Sequence, residues 1–263
     1  MSSVGPIGIF DSGLGGLTVV AALMRRMPHE SILYLGDTAR LPYGTKSAQT
    51  VLRYTKRNLS FLLNRGVKAV VVACNTASAL ALDDIEAPVP TWGVIQPGAA
   101  RAATISKGRI GVIATDSTTR SQAYPRALKA LRPDLEVMSV ACPLLVPLVE
   151  VGWLDDAIST AICEKYVEPL LRWGMDTMVL GCTHYPMLRS TLQKLVGAEI
   201  PLVDSAEVVA AQVDDEIDSG IRAPSQNTPQ HHFCVTDAAE GFSKMAKSFL
   251  DDTSLSLELV EVT

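Results

Sequence analysis

Short apolar runs alternate with longer amphipathic stretches along the whole chain. Residues 4–10, 32–35, 69–73, 91–95, 109–114, 136–140, 177–180 and 201–203 predict strands. Several of these are apolar at consecutive positions, the mark of parallel strands covered on both faces. Between them, residues 47–64 place Val51, Leu52, Leu59, Leu62 and Leu63 at helical spacing, and residues 154–173 and 206–218 behave alike. Gly66 and Gly174 stand where helices end. Residues 225–230 read as a loop. Residues 233–262 read as strand, helix, strand, folding back onto the first part of the chain. Alternation of this kind predicts an α/β fold with mostly parallel sheets.

The pattern also repeats. Ile7-Gly-Ile-Phe-Asp-Ser is echoed by Ile110-Gly-Val-Ile-Ala-Thr-Asp-Ser, and Leu41-Pro-Tyr-Gly holds a place comparable to Cys142-Pro-Leu-Leu. Each half then reaches an apolar strand that ends in a small residue and a cysteine, Ala73-Cys74-Asn75-Thr76 and Gly181-Cys182-Thr183-His184. The expectation is two similar doubly wound, mostly parallel-sheet domains related by a pseudo-two-fold, with an active site in the cleft between them. Residues 1–96 with 208–263 would form the first domain and 97–207 the second.

Composition narrows the function. The 263 residues are 48% apolar but only 5% aromatic, which suits helices packed on a sheet better than an aromatic binding surface. A net charge of −5 argues against a nucleic-acid partner, which would call for a basic stripe. The start of the chain is no signal peptide, and no segment approaches the roughly 20 apolar residues that cross a bilayer. A cytoplasmic protein with no membrane partner is expected. The five cysteines are an odd number without a C-x-x-C pair, so free thiols are expected, with no disulfide frame and no metal site.

Ligands of open α/β sheets sit at the carboxyl ends of strands. The polar clusters predicted there are Asp11-Ser12, Asp37 with Pro42-Tyr43-Gly44, Cys74-Asn75-Thr76, Glu150, and Cys182-Thr183-His184. Cys74 and Cys182 each fall just before a helix start, with Pro186 suited to a first helical turn, and a helix N-terminus lowers a thiol pKa towards neutrality. Cys142, Cys163 and Cys234 lack that setting and read as small buried hydrophobes. His184, two residues from a thiol, is a candidate acid or base. His231-His232 reads as surface or loop, and His29 as solvated. The turn Asp11-Ser-Gly-Leu-Gly-Gly lacks dinucleotide spacing, but its backbone N–H groups suit a small anion, carboxylate as well as phosphate. Two thiols facing one small acid suit inversion of a stereocentre: one sulfur removes a proton from one face, and the other returns a proton to the opposite face. The residues alone leave open which small acid is held, a non-catalytic anion- or thiol-sensing module, and pyridoxal chemistry, although no lysine motif suggests a Schiff base.

Taken together, "IFDSGLGGLTV", "YLGDTARLPYG", "VACNTAS", "GVIQPGA", "CPLLVPLVE", "LGCTHYP" and "LVDSA" resemble the bacterial aspartate/glutamate racemase family nearly from end to end. The resemblance implies cofactor-independent interconversion of L- and D-glutamate, with D-glutamate supplied to peptidoglycan synthesis. It implies Cys74 and Cys182 as the paired acid/base residues, Cys74 acting on the D-isomer and Cys182 on the L-isomer. Asp11, Asp37, Glu150 and His184 would support proton transfer. Asp11, Ser12, Pro42, Tyr43, Gly44, Asn75, Thr76, Thr183 and His184 would contact substrate alongside the thiols. It further implies a homodimer and no cofactor. Regulation through an N-terminal extension is not expected, since the first strand begins within a few residues of Met1.

Overall fold

The computed structural model describes residues 5–237, 246, 250 and 256–263. In chain order its elements are β1 (Ile7–Asp11), α1 (Leu17–Arg26), β2 (Ile32–Gly36), α2 (Ala48–Asn64), β3 (Ala69–Val72), α3 (Asn75–Leu80), β4 (Thr91–Gly93) and α4 (Ile95–Ile105). There follow β5 (Arg109–Ala114), α5 (Asp116–Ser121), α6 (Ala123–Leu131), β6 (Glu136–Ala141), α7 (Leu145–Glu150), α8 (Ala157–Trp173), β7 (Thr177–Gly181) and α9 (Arg189–Val196). The last are β8 (Leu202–Asp204), α10 (Ser205–Glu216), β9 (His231–Val235) and β10 (Leu257–Leu259). Short 3-10 turns, among them Tyr43–Thr45 and Tyr185–Leu188, join some of these.

Two all-parallel sheets form, one in the order β10-β9-β2-β1-β3-β4 and the other in the order β6-β5-β7-β8. The stretch β2-β1-β3-β4 and the whole second sheet share one winding: second strand, first, third, fourth. The repeat in the sequence is therefore a repeat in topology. It puts the thiol strands β3 and β7 in equivalent places, each beside the strand that opens its half. The consecutive apolar residues of β1, β2, β3 and β7 are buried at every position, because helices cover both faces. Each large aliphatic side chain so enclosed contributes about 1.5–3 kcal/mol. β6 is an edge strand and is half-exposed along most of its length.

Helix ends follow their local chemistry. Ser47 caps α2 by accepting from the Thr50 N–H, and Asp156 opens α8 with a reciprocal capping box to Ser159. Gly174 ends α8 at φ +83°, and Gly66 lies two residues beyond the end of α2 at φ +74°. Both are left-handed positions that favour glycine.

Several expectations need correction. The fourth strand stops at Gly93, and Ile95, expected in it, opens α4. His231 and His232 belong to β9, paired along β2, so they are part of the first sheet and not a loop. His232 is nonetheless exposed, as is His29. The helix expected between β9 and β10 lies outside the described residues, save for Ala246 and Leu250. All five cysteines are free and buried. Among the described residues, no helix is long and apolar enough to cross a membrane.

Candidate active site

The carboxyl ends of β1, β3, β5 and β7 converge on one small cavity. Its wall comprises Ser12, Leu41, Pro42, Tyr43, Gly44, Cys74, Asn75 and Thr76 from the first half, with Thr115, Val146, Cys182, Thr183 and His184 from the second. Ten of the residues expected at a site thus share one wall. Asp11, Asp37 and Glu150 stand behind it and reach it through Thr183, Tyr43 and His184. Leu41, Thr115 and Val146 were not among the candidates. The repeat carried the signal for them: Thr115 follows β5 as Ser12 follows β1, and Val146 closely follows the Cys142-Pro-Leu-Leu stretch that mirrors Leu41-Pro-Tyr-Gly.

The first thiol is the N-cap residue of α3, and its Sγ lies 3.7 Å from Ser12 Oγ. The expectation of an acidified Cys74 is overturned. Burial pushes its pKa up to about 12, with the charge of Asp11 adding to the rise. The Ala77 N–H and the Ser12 hydroxyl lower it, but not enough. A helix N-terminus of six residues supplies a modest field, whereas desolvation of a thiolate acts at full strength in a closed cavity.

The second thiol has a different neighbour. Cys182 Sγ lies 3.9 Å from His184 Nδ1, and His184 Nε2 lies 3.2 Å from Glu150 Oε1 at the end of α7. Burial acts against the imidazolium, but the hydrogen bonds to Cys182 and Glu150 and the charges of Cys182 and Asp11 outweigh it and hold the pKa at about 10. A cation therefore stands beside Cys182 at neutral pH.

Asp11 is fully buried and ties the halves together. Its Oδ2 accepts from the Gly13 N–H at 2.9 Å, and its Oδ1 accepts from Thr183 Oγ1 at 3.2 Å across the cleft. Burial raises its pKa, opposed by the His184 charge and by bonds from Gly13, Gly16 and Thr183. Thr76 makes a second crossing, 2.9 Å from Thr115 Oγ1 and 3.1 Å from Thr118 Oγ1. The glycine-rich turn presses close enough that a Cβ at Gly15 would sit 2.4 Å from Thr183 Oγ1.

Asp37 fixes the floor. It accepts from the Tyr43 hydroxyl, from Thr236 Oγ1 at 3.0 Å and from Arg40 Nη1 at 3.3 Å, while Asn58 Nδ2 donates to Tyr43 Oη at 3.0 Å. Among the described residues no cluster of His, Cys, Asp and Glu is arranged to hold a metal.

Twin parallel-sheet halves, with equivalent thiols across one cavity, define a class of isomerases. The chain belongs to the Asp/Glu/Hydantoin racemase family, whose sequence pattern matches residues 17–213. It is 47% identical to glutamate racemase of Geobacter metallireducens over 93% of this chain and 92% of that protein. It is 45% identical to glutamate racemase of Syntrophus aciditrophicus over 98% and 97% of the two chains. A crystal structure of a glutamate racemase isoform from Bacillus anthracis superimposes with a TM-score of 0.93 at 39% identity, covering 98% of each chain. One from Francisella tularensis, in complex with D-glutamate, superimposes with a TM-score of 0.92 at 34% identity, again over 98% of each.

Proposed function

We propose that this chain interconverts L- and D-glutamate by cofactor-independent proton transfer at Cα, with Cys74 and Cys182 working on opposite faces of the substrate. The observation that carries the reading is the pair of thiols at equivalent strand ends, one from each half, in the wall of a single cavity. The similarity to glutamate racemases over nearly the whole chain supports the choice of substrate.

In the L-to-D direction, Cys182 as thiolate removes the α-proton and becomes a thiol. Cys74 as thiol delivers its proton to the other face and becomes a thiolate. The reverse direction exchanges the roles. His184 stabilises negative charge on Cys182, and Glu150 orients the imidazole. Asp11 carries negative charge next to Cys74, which keeps that sulfur protonated until it acts. The hydroxyls of Ser12 and Thr76 offer donors to the substrate carboxylates. D-glutamate made in this way would serve peptidoglycan synthesis in the cytoplasm. The homodimer implied by the family resemblance is checked by sedimentation velocity.

The test is circular dichroism of L-glutamate incubated with the purified protein in heavy water, without added cofactor. Optical activity should decay to zero while deuterium enters Cα. Persistent optical activity, or inversion with the original hydrogen fully retained, would remove the reading. Aspartate run in parallel decides the substrate.

A further inference from the structure

Asn75 stands in the cavity wall with half of its amide engaged. Its Nδ2 donates to Tyr124 Oη at 2.8 Å, whereas its Oδ1, on a side chain 2% exposed, has no hydrogen-bond partner. Of the residues that hold such an atom among the described ones, Asn75 alone lines the cavity. A buried acceptor left without a partner is costly, and such groups concentrate where a ligand completes them. The α-ammonium of an amino acid is the matching group: it has three donors and no lone pair.

Tyr124 is not part of the wall. It lies on α6, in the half opposite Asn75, and is 1% exposed. An added Cβ would meet its hydroxyl at 3.3 Å at Gly98 and its ring at 3.1 Å at Gly181. The Ser205 side chain, at the start of α10, acts on the same hydroxyl in the same sense as Asn75, as a donor towards the phenol oxygen. With that oxygen accepting from Asn75 Nδ2 at 2.8 Å, the amide turns Oδ1 away from Tyr124.

We propose that Tyr124 is a positioning residue: held by Ser205, it fixes the Asn75 amide so that Oδ1 is presented to the α-ammonium group of the substrate. This rests on reading the cavity as an amino-acid racemase site. Because Tyr124 and Asn75 come from different halves, the acceptor is set only when the halves meet.

Tyr124→Phe tests it by removing the hydroxyl and keeping the ring. The KM for both L- and D-glutamate should rise roughly three- to tenfold, with kcat within about twofold of wild type, as expected when one hydrogen bond made equally in ground and transition states is lost. Calorimetric titration with D-glutamate should weaken by the same factor. Ser205→Ala should move KM in the same direction by less. An unchanged KM in folded Tyr124→Phe overturns the proposal, as does a fall in kcat with KM unchanged, which marks a merely structural role. If Tyr124→Phe fails to fold, Ser205→Ala decides, and an unchanged KM there overturns it. Wild type is assayed alongside. If it racemises no glutamate, the racemase reading falls and this proposal with it. If it does, and both variants keep the wild-type KM, only the role given to Tyr124 falls.

Discussion

Cys182 Sγ lies 3.9 Å from His184 Nδ1, and this contact separates two thiols that the sequence repeat makes equivalent. Cys74 has the Ser12 hydroxyl in that place, at 3.7 Å. One sulfur faces a cation and the other a neutral dipole with a carboxylate behind it.

That asymmetry has a chemical readout. The thiolate is the form that alkylates. Burial and Asp11 hold Cys74 at about 12, so it stays protonated at neutral pH. Iodoacetamide should therefore modify Cys182 before Cys74, followed by peptide mass spectrometry. His184→Asn should slow the Cys182 reaction and leave Cys74 unaffected. Equal rates at the two sulfurs would mean that His184 does not bias the pair.

His184 also ties stability to pH. Its folded-state pKa of about 10 lies above the ordinary 6.5, so the folded protein binds the proton more tightly. The resulting stability is fully present below 6.5 and is lost as pH rises through about 10. The urea midpoint of the wild type should fall across that window, and His184→Asn should flatten the slope. A variant with the wild-type slope would assign the titration to another group.

Gly15→Ala should act on the seam between the halves. The new Cβ would lie 2.4 Å from Thr183 Oγ1, 2.6 Å from His184 Nδ1 and 2.8 Å from the Thr183 carbonyl carbon. The last is backbone and cannot rotate away. Displacing Thr183 and His184 by about an ångström should cost on the order of 100-fold in kcat/KM. Kinetics of the folded variant check it, and near-normal turnover would show that the seam tolerates displacement.

Lys68→Met should do the reverse, harming stability but not chemistry. Lys68 Nζ meets Glu30 Oε2 at 2.5 Å with both side chains nearly buried, and also donates to the Ile221 carbonyl at 2.7 Å. Glu30 Oε1 in turn accepts from the Ala223 N–H at 2.8 Å. Removing one partner leaves a buried charge unpaired, at a cost of about 3–5 kcal/mol. Both residues precede their strands, at the end of the sheet away from the cavity, so kcat per folded molecule should hold. Denaturant melts and active-site-normalised rates measure the two effects separately.

Much of this was legible before any fold was known, because it is local. Consecutive apolar residues in 69–72 and 178–180 predict strands buried on both faces, and the small residue, thiol and hydroxyl after each mark a strand end open to a ligand. The echo of residues 7–12 in 110–117 carried the shared winding and, read further, Thr115. What stayed hidden depends on residues far apart in sequence. The pairing of β9 along β2, the Glu150 contact to His184 and the Tyr124 contact to Asn75 are set by where separate elements meet. The direction of the Cys74 shift belongs with them. The sequence shows a thiol at a helix start, which favours the thiolate, but only tertiary structure shows how completely the second half closes over it. Ionisation inside a protein is decided by the solvent and charge that surround a group, and that surrounding is assembled by the whole fold.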